Sequence, residues 1–213
     1  MLEIKDAVAV ITGGSGGIGK ALAKYWIEKG GKAVIADIAQ EQLEAAAREM
    51  GDNAKPFVCN VTKEEDCTAL ARFAVEAFGK INLVAPFAGI ISDGLMLSTD
   101  RETGKVKKKM SLEQFQKVLD INLTGVFLTM RECTEQMVNL NCRGLVCLVS
   151  STGSLGTAGQ INYASTKAAM AVMPKVVTAE FFRRGLSDKI RCCAIAPGYV
   201  GTDMVKNMNQ KAL

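Results

Sequence analysis

The sequence has no histidine among its 213 residues. Histidine is the most common general base in enzymes and the most common zinc ligand, so its absence excludes Ser-His-Asp hydrolases and the usual zinc sites. Acid–base or nucleophilic chemistry in this chain must therefore use tyrosine, lysine, serine, cysteine or carboxylate side chains. We expect no metal site.

Long apolar runs and concentrated basic stripes are also missing. No apolar run reaches the roughly 18 residues that a membrane-spanning helix needs, and the first residues lack the basic-then-apolar pattern of a secretory signal. The formal net charge of +4 is small, and the chain lacks the interleaved basic and aromatic residues that bind nucleic acids. We therefore expect a cytoplasmic protein with neither a membrane nor a nucleic-acid partner.

The seven cysteines include no C-x-x-C pair. An odd number of cysteines without metal-ligand spacing is typical of free thiols in a reducing compartment, which agrees with the expected cytoplasmic location. The length of the chain suits one globular domain. We expect residues 1–213 to form that single domain.

The chain is rich instead in short strand-like runs that alternate with helical patterns. The strand-like runs lie at 7–12, 32–37, 55–61, 81–89, 144–150 and 189–197. The helical patterns lie at 18–29, 40–50, 64–79, 111–139 and 162–184. Apolar strands that are buried on both faces and alternate with helices indicate a parallel sheet with right-handed crossovers. The predicted fold is α/β, a Rossmann-type doubly wound parallel sheet with helices on both faces.

Two features interrupt this alternation. Residues 92–110 are polar and contain a turn signal at Thr103-Gly104, which predicts a hairpin. A solvated hairpin beside the sheet is the favoured interpretation, and contact with an anionic partner, such as a carrier protein or coenzyme A, is the alternative. Pro174 lies inside the last helical pattern and should kink that helix. The basic residues of the predicted hairpin are Arg101, Lys105, Lys107, Lys108 and Lys109.

The glycine-rich stretch GGSGGIGKA at 13–21 fits two phosphate-binding patterns. The P-loop of ATPases needs a serine or threonine after its lysine to hold Mg²⁺, and here Ala21 follows Lys20. The dinucleotide-binding turn needs a preceding strand and a following helix, and both are predicted. In that turn, backbone N–H groups at the start of the helix face a pyrophosphate, and the glycines let it approach. The stretch therefore predicts a dinucleotide cofactor.

Asp37 ends the second predicted strand, 24 residues after Gly13. At about this distance from a glycine turn, an acidic residue accepts hydrogen bonds from the hydroxyl groups of the adenosine ribose. A carboxylate there also repels the 2′-phosphate of NADP(H), and residues 14–18 contain no lysine or arginine to attract that phosphate. We therefore expect NAD(H) to be favoured over NADP(H).

Tyr163 and Lys167 are four residues apart in a helical pattern and therefore project from one helix face. Ser150 ends an apolar strand thirteen residues before Tyr163, at the sheet edge where α/β proteins bind ligands. A Y-x-x-x-K pair alone is most often an ordinary surface feature of a helix. Its combination with Ser150 and the glycine turn favours an active site instead.

Together these motifs resemble the short-chain dehydrogenase/reductase family over nearly the whole chain, and most closely its 3-oxoacyl-[acyl-carrier-protein] reductase branch. The further matches are Thr12-Gly13-x-x-x-Gly17-x-Gly19 with the family's TGxxxGxG turn, Asn60-Val61 with the pair beside the adenine, Asn122 with the family's helix asparagine, and Pro197-Gly198 with the motif that flanks the nicotinamide.

The resemblance implies an NAD(H)-dependent oxidoreductase that interconverts a secondary alcohol and a ketone, with a 3-oxoacyl or 3-hydroxyacyl thioester as the favoured substrate. A free hydroxy acid, a cyclic alcohol or a polyol is an alternative substrate. A non-catalytic NAD-binding protein is an alternative of another class. The resemblance also implies a homodimer or homotetramer formed through the two long helices, 111–139 and 162–184.

The resemblance further implies roles for four side chains. Tyr163 is the acid in reduction and the base in oxidation, and Ser150 holds the substrate oxygen. We expect the Lys167 ammonium to lower the pKa of Tyr163 and to bond the nicotinamide ribose. Asn122 is expected to connect Lys167 to solvent through a water molecule. The implied cofactor-binding residues are Gly13, Ser15, Gly17, Ile18, Gly19, Asp37, Ile38, Asn60, Val61, Ala88, Gly89, Tyr163, Lys167, Pro197, Gly198, Val200 and Thr202.

Three features depart from the family pattern. One is Asp37, because biosynthetic acyl-carrier reductases typically use NADPH. The usual Asn-Asn-Ala-Gly reads Pro86-Phe87-Ala88-Gly89 here, so two asparagines that brace the fourth strand are absent, while Ala88 and Gly89 still line the cofactor. Family members also continue through a substrate-covering flap, a helix and a last strand, which we expect to be absent after Leu213.

Overall fold

Parallel strands form the centre of the computed structural model, which describes residues 2–206. In chain order the strands are β1 (Val8–Thr12), β2 (Lys32–Asp37), β3 (Ala54–Val58), β4 (Leu83–Pro86), β5 (Leu97–Thr99), β6 (Val106–Lys109), β7 (Gly144–Val149) and β8 (Ile190–Ile195). Six of them pair in the order β3-β2-β1-β4-β7-β8, while β5 and β6 form a separate pair. Met1 and residues 207–213 of the expected domain lie outside the described residues.

Helices cover both faces of this sheet. They are α1 (Gly17–Glu28), α2 (Gln40–Met50), α3 (Glu64–Phe78), α4 (Leu112–Leu119), α5 (Gly125–Asn139), α6 (Ile161–Arg183) and α7 (Asp203–Lys206). Two short turns add to them, a π-helical turn at Asp120–Thr124 and a 3-10 turn at Thr152–Leu155. The predicted doubly wound α/β fold is confirmed. Between residues 2 and 206, no helix has the length and apolar character needed to cross a bilayer.

Strand β1 shows why the strands are apolar along their whole length. Successive side chains of a strand point to opposite faces of the sheet. Val10 packs in one core with Leu70 of α3, and Ile11 packs in the other core with Trp26 of α1. Every residue of β1 is buried, so polar side chains are confined to the strand ends, where the candidate site lies.

The predicted single helix at 111–139 is interrupted. Ser111 begins it by accepting a hydrogen bond from the Gln114 nitrogen at 3.1 Å, and the helix ends at Asn139 as expected. The π-helical turn Asp120–Thr124 separates α4 from α5, so the prediction of one uninterrupted α-helix is wrong there. Single π-turns inside helices often occur at functional sites. Helix α6 continues through Pro174, so this proline does not end the helix.

Three strand predictions also need correction. Strand β3 ends at Val58 instead of residue 61, and strand β4 ends at Pro86 instead of residue 89. Strand β8 is the outermost strand of the sheet in the described chain and is only partly buried, so the expectation of burial on both faces is wrong for it. The predicted hairpin is confirmed, since β5 and β6 pair antiparallel and Gly104 has a φ of +68° in the turn.

Candidate active site

The carboxyl ends of the parallel strands meet at one edge of the sheet, where the strand order reverses between β1 and β4. In doubly wound sheets the connections diverge at such a point and open a crevice. Two adjoining hollows occupy this edge, a cleft of about 400 Å³ and a smaller pocket of about 170 Å³. The predicted residues that line the cleft are Gly13, Ser15, Gly17, Ile18, Gly19, Asp37, Ile38, Asn60, Val61, Ala88, Gly89, Tyr163, Lys167 and Thr202.

The smaller pocket contains most of the remaining predicted residues. Ile18, Tyr163 and Thr202 line both hollows, which therefore join. Among the predicted site residues, only Asn122 lines neither hollow. The predicted residues that line the pocket are Ile18, Ser150, Tyr163, Pro197, Gly198, Val200 and Thr202.

Close contacts explain the glycines in the turn between β1 and α1. Gly13 has a φ of +69°, and a Cβ there would lie 2.9 Å from the Ala88 nitrogen. A Cβ on Gly19 would collide with the Gly13 carbonyl oxygen, whereas a Cβ on Gly16 would meet nothing within 4 Å. The turn is therefore closed toward the protein and open at Gly16. This arrangement lets a pyrophosphate approach backbone N–H groups.

Lys20, which gives the turn its likeness to a P-loop, forms a surface ion pair instead. Its Nζ lies 2.7 Å from Oε2 of Glu49 on α2, and Lys24 pairs with the same carboxylate at 3.3 Å. Hydrogen bonds from Lys20 and then Lys24 hold the pKa of the Glu49 carboxyl below its usual range. Lys20 therefore joins α1 to α2 and does not line the cleft.

The Asp37 carboxylate is fixed at the end of β2 by the glycine turn. Ser15 donates to Asp37 Oδ2 from its hydroxyl at 2.6 Å and from its backbone nitrogen at 3.2 Å. The backbone nitrogen of Ile38 donates to Oδ1 at 2.8 Å. These bonds hold the carboxylate at the rim of the cleft, where the sequence analysis expects a ribose-binding acid.

Asn60 and Val61 line the cleft beyond β3, in a loop held by its own hydrogen bonds. Asn60 Oδ1 accepts from the backbone nitrogen of Thr62 at 3.1 Å and from its hydroxyl at 2.8 Å. The Asn60 backbone nitrogen donates to Asp66 at 2.8 Å. A Cβ on Gly125 of α5 would lie 2.7 Å from the Val61 side chain, so this helix approaches the loop closely. The loop is therefore packed between α3 and α5.

Asn122 is fully buried in the π-helical turn. Its carboxamide accepts from the backbone nitrogen of Ile90 and donates to the Ile90 carbonyl, both at 2.8 Å. A third hydrogen bond, from the Ala88 nitrogen to Thr12 Oγ1 at 3.2 Å, joins the same segment to β1. These bonds brace the chain after β4, where the two family asparagines are absent. Within residues 2–206 no hydrogen bond joins Asn122 to Lys167, so the water relay stays a prediction.

Ser150, Tyr163 and Lys167 come together where β7 ends against α6. The Lys167 Nζ is buried, donates to the Val149 carbonyl at 2.9 Å and lies 5.5 Å from the centroid of the Tyr163 ring. Ser150 Oγ donates to the Lys167 carbonyl oxygen at 2.7 Å. These contacts place the three residues in one wall that borders both hollows.

The pKa values in this wall differ from the sequence expectation. Burial raises the pKa of Tyr163 above its usual value, while the Ser151 hydroxyl beside it lowers that pKa and the Asp93 carboxylate raises it further. Burial also lowers the pKa of Lys167 to about 8. The prediction that the pKa of Tyr163 is lowered is therefore wrong for this structure. Both groups are withdrawn from water, which disfavours the phenolate and the ammonium alike.

Three polar side chains that the sequence analysis did not single out lie beside the same wall. Ser151 lines the pocket next to Ser150, and its Oγ accepts a hydrogen bond from the Gly153 nitrogen at 3.1 Å. Asp93 accepts a hydrogen bond at 3.0 Å from Gln160, which also lines the pocket. The only sequence signal for these residues was position, since Ser151 adjoins Ser150 and Gln160 directly precedes α6.

Comparison with known proteins assigns the family. The family model described as short chain dehydrogenase matches residues 7–213. The chain belongs to the short-chain dehydrogenase family. The 3-oxoacyl-[acyl-carrier-protein] reductase of Rickettsia bellii is 31% identical to it, over 99% of this chain and 80% of that protein. The reductase of the same name from Synechocystis sp. is also 31% identical, over 100% of this chain and 82% of that protein.

Solved structures of short-chain dehydrogenases share this fold. The 3-ketoacyl-(acyl-carrier-protein) reductase from Brucella melitensis, complexed with NADH, has a TM-score of 0.82 and 26% identity, over 96% of this chain and 81% of that one. A short-chain dehydrogenase from Burkholderia phymatum, in complex with NAD, has a TM-score of 0.85 and 24% identity, over 100% of this chain and 74% of that one. As a short-chain dehydrogenase, this chain is a nicotinamide-dependent oxidoreductase that acts on CH–OH groups.

The cleft of this short-chain dehydrogenase has the donors and acceptors that a nicotinamide dinucleotide requires. The open side of the turn at Gly16 offers backbone N–H groups to a pyrophosphate, and the Asp37 carboxylate offers acceptors to ribose hydroxyls. Lys167 offers a donor in the same cleft, next to Tyr163. The residues present therefore fit this cofactor.

Proposed function

We propose that this short-chain dehydrogenase interconverts 3-oxoacyl and 3-hydroxyacyl thioesters with NAD(H). The observation that carries the proposal is that the cleft and the hydroxyl-lined pocket share the Tyr163 side chain. A phenol at this junction can exchange a proton with a substrate oxygen in the pocket. The thioester substrate is supported by the Rickettsia and Synechocystis relatives, which are named 3-oxoacyl-[acyl-carrier-protein] reductases.

The proton step belongs to Tyr163. The nicotinamide, when bound, supplies a hydride in reduction and accepts one in oxidation. Tyr163 donates its proton to the substrate oxygen in reduction and takes a proton back in oxidation. Because burial raises its pKa, the phenol is protonated at neutral pH, which is the form that reduction needs.

Two neighbours of Tyr163 support this step in our proposal. Lys167, with a pKa lowered by burial to about 8, still carries its proton in most molecules at neutral pH. Its charge favours the phenolate that forms when Tyr163 gives up a proton. Ser150 stabilises charge on the substrate oxygen by turning its hydroxyl from the Lys167 carbonyl into the pocket that it lines.

The preference for NAD(H) over NADP(H) is a further part of the proposal, and it rests on Asp37. A 2′-phosphate would bring negative charge beside this carboxylate, which repels it. The Ser15 hydroxyl in the turn donates its proton to Asp37 at 2.6 Å, so this proton is not free to bond a 2′-phosphate. Residues 14–18 offer no lysine or arginine to such a phosphate.

Initial rates with an acetoacetyl thioester and either NADH or NADPH test both parts of the proposal. We expect kcat/KM to be roughly tenfold or more higher with NADH, a difference of about 1.4 kcal/mol. Asp37→Asn keeps the size of the side chain and removes its charge, so the discrimination should shrink. Glu41→Gln removes an exposed charge from α2 outside the cleft and should leave the ratio unchanged.

Each part of the proposal fails on a different result. A higher kcat/KM with NADPH than with NADH overturns the cofactor preference. Failure to reduce any 3-oxoacyl thioester, together with turnover of a free hydroxy acid, a cyclic alcohol or a polyol, overturns the substrate class.

We also propose a homodimer or homotetramer in which α5 and α6 pack against a second copy of the chain. A groove of about 520 Å³ lies between these helices. Phe127, Val172 and Val176 border it and are 44%, 54% and 52% exposed in the single chain, which is unfavourable for large apolar side chains. Sedimentation should show an oligomer that Val176→Glu dissociates. A wild-type monomer would contradict the proposal.

A cytoplasmic location completes the proposal. All seven cysteines are free thiols in the structure, and three of them, Cys59, Cys67 and Cys133, are buried in the core. Free thiols persist in compartments that glutathione and thioredoxin keep reduced. Fractionation of cells that express the protein tests this location, and recovery from an oxidising compartment would contradict it.

A further inference from the structure

Most of the net positive charge of the chain lies on the hairpin formed by β5 and β6. The segment 100–109 carries five cations against the two carboxylates of Asp100 and Glu102. Its net charge is therefore +3, whereas the whole chain of 213 residues carries +4. The five cations, which we call the basic hairpin residues, are Arg101, Lys105, Lys107, Lys108 and Lys109.

The basic hairpin residues are not explained by ion pairing. All five are exposed, and none pairs with a carboxylate within residues 2–206. Asp100 instead holds the turn, because its Oδ1 accepts from the backbone nitrogens of Thr103 at 2.9 Å and Glu102 at 3.1 Å. Hydrogen bonds from Thr103 hold the pKa of Asp100 below its usual range. The cations therefore remain available to a partner.

Backbone hydrogen bonds at the turn and at the base hold the hairpin that carries these cations. The Asp100 nitrogen donates to the Lys105 carbonyl at 2.8 Å near the turn, and the Met110 nitrogen donates to the Met96 carbonyl at 3.1 Å at the base. Strand β6 has four residues, which span about 13 Å. Lys107 lies at an irregularity of the pairing, but Lys108 and Lys109 pair regularly with Ser98 and Leu97. Successive residues of a regular strand point to opposite faces, so these two lysines place positive charge on both faces of the hairpin. A partner meets an extended positive surface and not a single compact site.

The segment that leads into the hairpin contacts the beginning of the helix that carries Tyr163. The Ser92 carbonyl accepts a hydrogen bond at 2.9 Å from the Asn162 side chain, and Asp93 accepts one at 3.0 Å from Gln160. Asn162 directly precedes Tyr163 in the sequence. A partner bound to the hairpin is therefore held beside the pocket in which the thioester would react.

We propose that the basic hairpin residues dock an acidic carrier protein that presents its acyl thioester to the pocket. The inference rests on the proposed function, because it takes a thioester as the substrate. The distribution of the positive charge favours a carrier protein over coenzyme A as the partner. The phosphates of coenzyme A form a compact group that a few cations on one face can hold, whereas cations on both faces of a hairpin match a broad negative surface.

Exposed apolar side chains among the cations support a protein partner. Leu97 of β5 and Val106 of β6 are 47% and 52% exposed. Protein interfaces combine apolar contacts with a polar, charged rim. Leu97 lies opposite Lys109 in the strand pairing, so apolar and positive groups adjoin on this surface.

The test compares one acyl group on three carriers: an acidic acyl carrier protein, coenzyme A, and the short thiol N-acetylcysteamine. The variant is Lys107→Gln/Lys108→Gln/Lys109→Gln. The matched control is Lys5→Gln/Lys29→Gln/Lys80→Gln, which removes the same charge beside the amino ends of β1, β2 and β4, away from the site. Because rim charges act mainly on association, the variant should lose roughly tenfold in kcat/KM for the carrier-linked substrate at low salt, with kcat unchanged.

The remaining results decide between the explanations. Unchanged rates on N-acetylcysteamine, with the control matching the wild type on all substrates, support the proposal. An equal loss on coenzyme A assigns the cations to phosphate and overturns the carrier. Equal kcat/KM for variant and wild type on the carrier-linked substrate overturns the docking site while the proposed function stands. If the wild type turns over no thioester, the proposed function fails, and direct binding of the carrier protein to wild type and variant decides on the hairpin alone.

Discussion

The cleft that we propose for the cofactor and the pocket that we propose for the substrate are built in different ways. In the cleft, backbone lies against backbone, as where Gly13 meets the chain after β4, and the acid of the rim is held by the turn itself. In the pocket, hydroxyl groups of Ser150, Ser151 and Tyr163 meet a rim that includes Tyr199, which is 66% exposed. A single methyl group at Gly13 or Gly19 would therefore disrupt the cleft. The shape and polarity of the pocket are instead set by the side chains that line it. In our proposal, dinucleotide binding therefore depends on the backbone of the fold, and substrate choice depends on the side chains of the pocket.

The largest effect should come from Tyr163, the hydroxyl-bearing ring that lines both regions. Tyr163→Phe removes the proton donor and leaves the glycine turn intact, so turnover should fall about 10³-fold while NADH still binds. Steady-state rates and a fluorescence titration with NADH measure the two effects. Tyr25→Phe, on the exposed face of α1, is the matched control and should behave as wild type. Substantial activity in Tyr163→Phe would remove the residue from the proton step.

The next largest effect should be a difference in kcat between alanine variants of the two adjacent serines of the pocket. We expect Ser150→Ala to lower kcat about 10²-fold, because it removes a donor for the charge on the substrate oxygen. Ser151→Ala should cost less than tenfold, roughly 1.4 kcal/mol. It should also raise the apparent pKa in the pH profile of oxidation, because the Ser151 hydroxyl lowers the pKa of Tyr163. The reverse order of the two kcat values would make Ser151 the residue that contacts the substrate oxygen.

The substitution Gly19→Ala tests whether close backbone contacts determine the shape of the cleft. Gly19→Ala places a Cβ against the Gly13 carbonyl oxygen, so it should cost about 1–3 kcal/mol of stability and weaken NADH binding. Gly16→Ala is the control for stability, because a Cβ there meets nothing within 4 Å of the chain and the φ of −155° suits any residue. Denaturant unfolding compares the two variants, and NADH titration of Gly19→Ala against the wild type measures the effect on binding. An equal loss of stability in the two variants would show that packing inside the turn is not the cause.

The smallest effect concerns pH. Lys167 has a pKa of about 8 in the folded chain, lowered by burial from its ordinary value of 10.5. Between these values the unfolded chain binds a proton that the folded chain has lost, so the contribution of Lys167 to stability rises with pH in this window. From pH 7.5 to 9.5 the wild type should gain about 2 kcal/mol relative to Lys167→Met.

Lys117→Met on the exposed side of α4 is the control for this measurement and should follow the wild type at both pH values. A pH-independent difference between wild type and Lys167→Met would mean that Lys167 keeps an ordinary pKa in the folded chain.

The grouping of the predicted residues around one cleft follows from the sequence because its signals are local. The strand, glycine turn and helix lie within one short segment, and Asp37 ends the next strand, so spacing alone placed them together. Ser150, Tyr163 and Lys167 were found in the same way, since a strand end and one helix face bring them to the same sheet edge.

The rest of the site depends on contacts between distant segments. Gln160 donates a hydrogen bond to Asp93 because the chain after β4 passes the beginning of α6. No local sequence pattern predicts this contact. The π-helical turn that carries Asn122 has the apolar spacing of an ordinary helix, so the sequence predicts an uninterrupted helix there. The pKa of Tyr163 is raised mainly by burial, which depends on all the elements packed around the ring. The four-residue spacing between Tyr163 and Lys167 therefore does not predict it.

The hydrogen bond between Met96 and Met110 has a consequence for how such enzymes can diverge. The two ends of the hairpin meet at 3.1 Å, so the hairpin leaves and rejoins the chain at nearly one point. A segment with adjoining ends can be shortened, lengthened or exchanged without moving the residues on either side of it. In our proposal, the docking surface is therefore a segment that can be exchanged while Ser150, Tyr163 and Lys167 keep their positions.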